Sequence, residues 1–181
     1  AVDAWVVGHA QPSACSAGRG GEGSGARGAT GDGEGGDVHA RGFGRVLSAS
    51  DFGERLGRPG NIVDLRGDGG RSGSTPADVV EEQRKVAAAD LLVLQFPLWW
   101  YGMPAILKGW LDRTLTDSFA YGDLAPDTGV PLRYGDGGLA GRRALVIVTA
   151  GEDDRSTGSR GISGDIEASL FPLTHGAPWS V

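Results

Sequence analysis

The chain is poor in sulfur, modest in aromatics and without a long apolar run. Among 181 residues there is one cysteine, Cys15, and one methionine. A lone cysteine excludes a disulfide framework, and a reducing cytosol is the compartment it predicts. The longest apolar stretch is too short to span a bilayer, so no transmembrane segment is expected, and no leader pattern opens the chain. The first residue is Ala1, which reads as a trimmed start. No Lys/Arg block stands out and the formal net charge is −6, so no nucleic-acid footprint is expected. The segment Gly135–Arg142 lacks the Lys-Ser/Thr ending of a phosphate loop, which removes nucleoside triphosphates. Glu152-Asp153-Asp154 comes without histidine or a further ligand pattern, so no metal is expected there. The length suits a single domain over residues 1–181.

Glycine is abundant instead, at 33 residues. Ten of the twenty residues from Ala17 to Gly36 are glycine, and none is Leu, Ile, Val, Met or aromatic. Nothing there can face a core, and glycine raises the entropic cost of ordering, so residues 17–36 are expected to be flexible.

Ala4–Val7 reads as a short buried strand, followed by a turn at Gly8–Ser13. Ser48–Phe52 can cap a short helix, and residues 57–74, rich in Gly, Pro and Asp, read as loop. Thr75-Pro76-Ala77-Asp78 predicts a helix start, with Thr75 as cap and Pro76 in the first turn. That helix is expected to run to about Ala89, with Val79, Val80, Gln83 and Val86 along one side. Leu91–Phe96 and Arg143–Thr149 are continuous apolar runs, as expected of parallel strands covered on both faces. A second helix is expected at about Pro104–Leu115, with Ile106, Leu107, Trp110 and Leu111 as its apolar stripe. Asp117–Gly141 and Ala150–Gly161 read as loops, and Asp165–Leu170 starts a last helix. Strands alternating with helices predict a parallel α/β sheet of three or four strands.

The most informative stretch is residues 89–113. Its strand ends at Pro97 and gives way to Leu98-Trp99-Trp100-Tyr101-Gly102, after which Pro104 opens a helix. Aromatics at the carboxyl end of a parallel strand lie where open α/β sheets bind ligands. Read alone, Trp99 and Trp100 suit a core or an interface as well as they suit a ligand site. His9 and Tyr121, read alone, are ordinary turn residues.

With Ser118-Phe119-Ala120-Tyr121-Gly122, this block resembles the flavin-dependent NAD(P)H:quinone oxidoreductases of the DT-diaphorase and modulator-of-drug-activity type. The pattern that carries the resemblance is Gln-Phe-Pro-Leu-x-Trp-x-x-x-Pro-Ala-x-Leu-Lys-Gly-Trp, beginning at Gln95. Glu81–Lys85, Gly138–Leu145 and Gly161–Ile166 support it. The resemblance runs from about Ser74 to Gly176, is weaker over Val46–Glu54 and is fragmentary before that.

The resemblance implies a flavodoxin-like doubly wound parallel sheet with FAD or FMN at the carboxyl ends of its strands. It implies that Pro97, Leu98, Trp99, Trp100, Tyr101 and Gly102 line the flavin ring. Thr149, Ala150, Gly151 and Glu152 would wrap its pyrimidine side, with Gly151 stabilising charge on the ring. His9 and Ser16 would lie near the flavin phosphates. Tyr121 would belong to a quinone pocket, which the family often builds across a homodimer interface. NAD(P)H would be the co-substrate, a quinone the acceptor and the cytoplasm the location.

Departures from the family pattern are local. The phosphate-binding hydroxyl is replaced by Ala14 and a Phe-Asn pair by Cys15-Ser16, and the first helix gives way to the glycine tract. Two compensating reading-frame shifts would produce this, and the nucleotide sequence tests it. The loop tyrosine and histidine of animal members are Thr157 and Ser163 here. The family continues with a further strand and helix past Val181, so one sheet edge is expected to be bare. Two other functions stay open at this level: a flavin-free member acting as a binding protein or remnant, and an FMN-dependent nitro- or azo-reductase.

Overall fold

The computed structural model describes residues 4–8, 35–38, 41–153 and 155–176. The two apolar runs form strands, β3 at Leu91–Pro97 and β4 at Arg143–Thr149, as the sequence predicts. β1 is Ala4–Gly8 and β2 is Gly35–Asp37. All pairings are parallel and the order is β2-β1-β3-β4. The chain leaves β1 for one side of the sheet and returns to β3 on the other. The crevice beyond the carboxyl ends of β1 and β3 is therefore the topological switch point.

The glycine tract is not loop to its end. Gly35 and Gly36 pair with Val6 and Val7, because ladder bonds come from the backbone and glycine supplies them like any residue. The rest of the tract lies outside the described residues.

A helix unforeseen in the sequence, α1, spans Ile62–Arg71 inside the stretch expected to be loop. Asn61 caps it, its Oδ1 accepting the Asp64 N–H at 2.9 Å. Its glycines allow close approach: a Cβ on Gly67 would collide with Asp117, and one on Gly69 with the Arg55 guanidinium. Tertiary packing here outweighs poor helix propensity. Ser48 opens a single 3-10 turn, Ala49–Asp51, as a capping box.

The next helix, α2 (Ala77–Ala88), starts one residue later than its expected cap. Pro76, not Thr75, holds the capping position, and no side chain bonds the helix end. Its buried side also differs. Val79 and Val86 are buried together with Glu82 and Lys85, whereas Val80 is largely exposed. Helix α3 (Ala105–Thr114) buries Ile106, Leu107, Trp110 and Leu111 as predicted, with Pro104 at the cap rather than inside. Helix α4 is short, Ile166–Ser169, with the Asp165 carboxylate accepting the Glu167 N–H at 2.8 Å.

Phe96, Leu94, Val86, Leu107, Trp110 and Leu173 centre the core between sheet and helices. Burying each such side chain contributes about 1.5–3 kcal/mol. β4 departs from the expectation of a strand covered on both faces. It is the sheet's edge among the described residues, and only Val146 and Val148 pack on the core. Leu145 and Ile147, on its other face, are 47% and 40% exposed.

Candidate functional site

At the end of β3 the chain makes a tight reversal. Trp99 and Gly102 exchange both backbone hydrogen bonds, each 3.0 Å. The two residues between them, Trp100 and Tyr101, have φ of 53° and 60°. This is a type I′ arrangement, which favours Asn-Gly because both central residues adopt positive φ. Two aromatic side chains in that conformation cost about 1–3 kcal/mol each. The turn nevertheless places Trp100 almost wholly in solvent, at 98% exposure, with Trp99 and Tyr101 about half exposed. Fold stability gains nothing from that placement.

The loop after β4 lies beside this turn. The Leu98 N–H donates to the Thr149 carbonyl at 2.8 Å, and the Tyr101 hydroxyl donates to Glu152 Oε1 at 2.7 Å. Pro97 and Thr149 are register partners, so Pro97–Gly102 and Thr149–Glu152 form one surface at the carboxyl end of the sheet. The N–H groups of Gly151 and Glu152 donate no hydrogen bond among the described residues. A Cβ on Gly151 would meet nothing within 4 Å. Flat aromatic faces and unpartnered donors thus share one open ledge. Hydroxyls of Ser163, Tyr101 and Ser156 hold the Glu152 carboxyl below its ordinary range.

Tyr121 sits elsewhere, beside a cleft of about 410 Å³ lined by Leu47, Val63, Arg66, Met103, Leu115 and Tyr121 among others. Met103 follows Gly102 directly, so the cleft adjoins the aromatic turn. Burial, then the nearby Asp117 charge, pushes the Tyr121 phenol above its ordinary value, and it stays neutral through the physiological range. Arg66 is spent on structure: it donates to the carbonyls of Asp112 and Arg113, the latter at 2.6 Å, where α3 ends. Lys108 pairs with Asp112.

The structure therefore brings Pro97, Leu98, Trp99, Trp100, Tyr101 and Gly102 together with Thr149, Ala150, Gly151 and Glu152. Tyr121 occupies the neighbouring cleft. His9 and Ser16 lie outside the described residues. Sequence reasoning missed Arg66 and Val63, because the helix that carries them was read as loop. It also missed the Ser156 and Ser163 hydroxyls around Glu152, for which no local signal exists.

The sequence and the fold have relatives among known proteins. The sequence profile of the flavodoxin-like fold family matches residues 29–178. The chain belongs to that family. Over 104 residues this flavodoxin-like protein is 49% identical to a ribosyldihydronicotinamide dehydrogenase-like protein of Penicillium crustosum, covering 57% of this chain and 39% of the relative. Over 103 residues it is 43% identical to the human ribosyldihydronicotinamide dehydrogenase [quinone], covering 57% and 42%. The matched segment thus spans about 40% of the length of these curated relatives. Among solved structures, a Klebsiella pneumoniae protein assigned as a quinone reductase superposes with a TM-score of 0.79 at 30% identity, covering 98% of this chain and 70% of that one. The NAD(P)H:quinone oxidoreductase of Methanothermobacter marburgensis gives 0.58 at 26% identity, covering 97% and 79%.

Proposed function

We propose that this flavodoxin-like protein is a flavin-dependent NAD(P)H:quinone oxidoreductase that works as a single domain. The observation that carries the reading is the strained, solvent-facing Trp99–Tyr101 turn at the switch point, set against the N–H groups of Gly151 and Glu152, which donate no hydrogen bond among the described residues. Those features fit FAD or FMN. A flat ring finds aromatic faces on one side and hydrogen-bond donors on the other. The kinship to quinone-named relatives supports the acceptor class.

In this reading Pro97, Leu98, Trp99, Trp100, Tyr101 and Gly102 line the ring, and Thr149, Ala150, Gly151 and Glu152 hold its polar edge. His9 and Ser16 serve the phosphates. When bound, the flavin supplies hydride transfer from NAD(P)H to a quinone. The Gly151 N–H would offer a hydrogen-bond donor to negative charge on a bound ring. Tyr121, neutral and half-buried, offers an acceptor in the adjoining cleft a hydrogen bond. The lone cysteine supports a cytosolic setting.

A second copy of the chain is the proposed partner. Val46, Ile62 and Val63 are exposed apolar residues, and Val63 lines the Tyr121 cleft. A homodimer across that face would cover them. Titration with FAD and with FMN, read by tryptophan quenching, tests the assignment; saturable binding followed by NAD(P)H-dependent reduction of quinones is expected. Protein that ignores both flavins would be a flavin-free member. Faster turnover of azo dyes than of quinones would move the activity to azo-reduction.

A further inference from the structure

Beyond the flavin assignment, the Tyr101–Glu152 contact has a role of its own. The two backbone bonds between Trp99 and Gly102 close the aromatic turn, but they do not fix how it leans over the sheet end. Past the strand pairing at Leu98, the Tyr101 hydroxyl also ties the turn to the β4 loop among the described residues, donating to Glu152 Oε1 at 2.7 Å. Tyr101 and Trp100 are both in the left-handed region, and the Tyr101 hydroxyl reaches Glu152 while Trp100 stands in solvent. An aromatic held at positive φ persists only where its surroundings over-determine it.

The carboxylate is itself held. Its second oxygen, Oε2, accepts from the Ser156 hydroxyl at 3.4 Å. Glu152 makes no salt bridge among the described residues, so its contacts are hydroxyl bonds of defined direction rather than a diffuse ion pair. An ionised carboxylate bonds a hydroxyl more strongly than a neutral acceptor does. The phenol proton of Tyr101 is committed to this bond.

We propose that Tyr101 and Glu152 form a clasp, a pair of positioning residues that sets the orientation of the Trp99–Trp100 ledge and thereby its affinity for a flat aromatic ligand. Its effect on a ligand rests on the flavin reading; its effect on the ledge does not.

The test is a double-variant cycle on the full chain, Tyr101→Phe, Glu152→Ala and both together, with Glu152→Gln as the conservative rescue. The first readout needs no ligand. Fluorotryptophan is incorporated, and the 19F resonances of Trp99 and Trp100 are assigned by Trp→Phe variants. The second readout is the dissociation constant for FMN and FAD. Tyr101→Phe keeps the ring and loses only the hydroxyl. Both single variants should shift the Trp99 and Trp100 resonances alike and weaken flavin binding about tenfold, the order expected for a hydrogen bond to a charged group. The double variant should be no worse than either single one, and Glu152→Gln, which keeps a neutral acceptor, should recover part of the loss. Additive effects, or Tyr101→Phe indistinguishable from wild type in the 19F spectrum, would overturn the clasp while flavin binding by the wild type stood. Non-additive 19F shifts in a protein that binds neither flavin would uphold the clasp and remove the flavin reading instead.

Discussion

The indole N–H of Trp110 donates to Glu82 Oε2 at 2.8 Å, and both residues are buried. The same carboxylate accepts from Lys85 Nζ at 2.9 Å and from Arg41 at 3.3 Å. This fastens α2 to α3, the helix that begins directly behind the aromatic turn. A buried carboxylate is tolerable only while its donors are present. Trp110→Phe removes one donor and leaves space, so it should lower stability by about 1–3 kcal/mol. Urea unfolding of the two proteins measures this, and an unchanged midpoint would contradict it.

Gly109 faces the backbone of Arg45, and a Cβ there would collide with the Arg45 carbonyl oxygen. Backbone cannot step aside as a flexible side chain can. Gly109→Ala should therefore destabilise by about 1–3 kcal/mol, although alanine favours helix over glycine. Circular dichroism melts would show a lowered Tm; a raised one would mean that helix propensity wins.

Arg113 donates to Asp51 at 2.8 Å, to Asp78 at 2.6 Å and to the Gly44 carbonyl at 2.9 Å, and its guanidinium lies 4.9 Å from the Phe43 ring centre. A lysine has neither the fork nor the planar face for this set. Arg113→Lys is expected to cost about 3 kcal/mol, of the order seen when a buried ion pair is broken. Denaturant midpoints check it; a loss within 0.5 kcal/mol, ordinary for a surface exchange, would not fit.

Trp100 occupies a turn position suited to asparagine. Trp100→Asn should raise stability by about 1 kcal/mol, by relieving the backbone, while weakening flavin binding at least tenfold. Calorimetry and flavin titration together test it. A variant both more stable and equally tight would show that the ledge does not stack a ligand.

The Glu152 carboxyl lies below its ordinary value because hydroxyls of Ser163, Tyr101 and Ser156 favour its charged form. A group with a depressed folded pKa contributes stability that is present above the unfolded value and lost as pH falls through the folded one. The Trp99 and Trp100 signals should therefore stay constant from pH 8 to about 5 and move only at or below the ordinary glutamate value of about 4.3. In Glu152→Gln that acid-side change should vanish. A transition near neutral pH, shared by both proteins, would assign the ledge to another group.

The strands β1, β3 and β4, the α3 stripe and the place of the aromatic turn were legible because each rests on neighbouring residues, whereas β2 lies at the end of a glycine tract that reads as flexible. Leu91–Phe96 is apolar throughout, Ile106, Leu107, Trp110 and Leu111 recur at helical spacing, and Pro97 marks a strand end. Helix α1 was not legible, since Gly67, Gly69 and Gly70 look like loop until Arg55, Asp117 and Ser118 are seen packed over them. The buried charge of Glu82 was hidden for the same reason: its donors include Arg41 and Trp110, on other segments.

The sequence by itself determined a parallel α/β domain with aromatics beyond a central strand, because hydrophobic period and proline chemistry act over a few residues. Only the tertiary structure decided that Trp100 stands in solvent and that Tyr101 reaches Glu152. Those outcomes depend on contacts between residues tens of positions apart, and chain reversal at positive φ and hydroxyl-to-carboxylate bonds leave no trace in local composition.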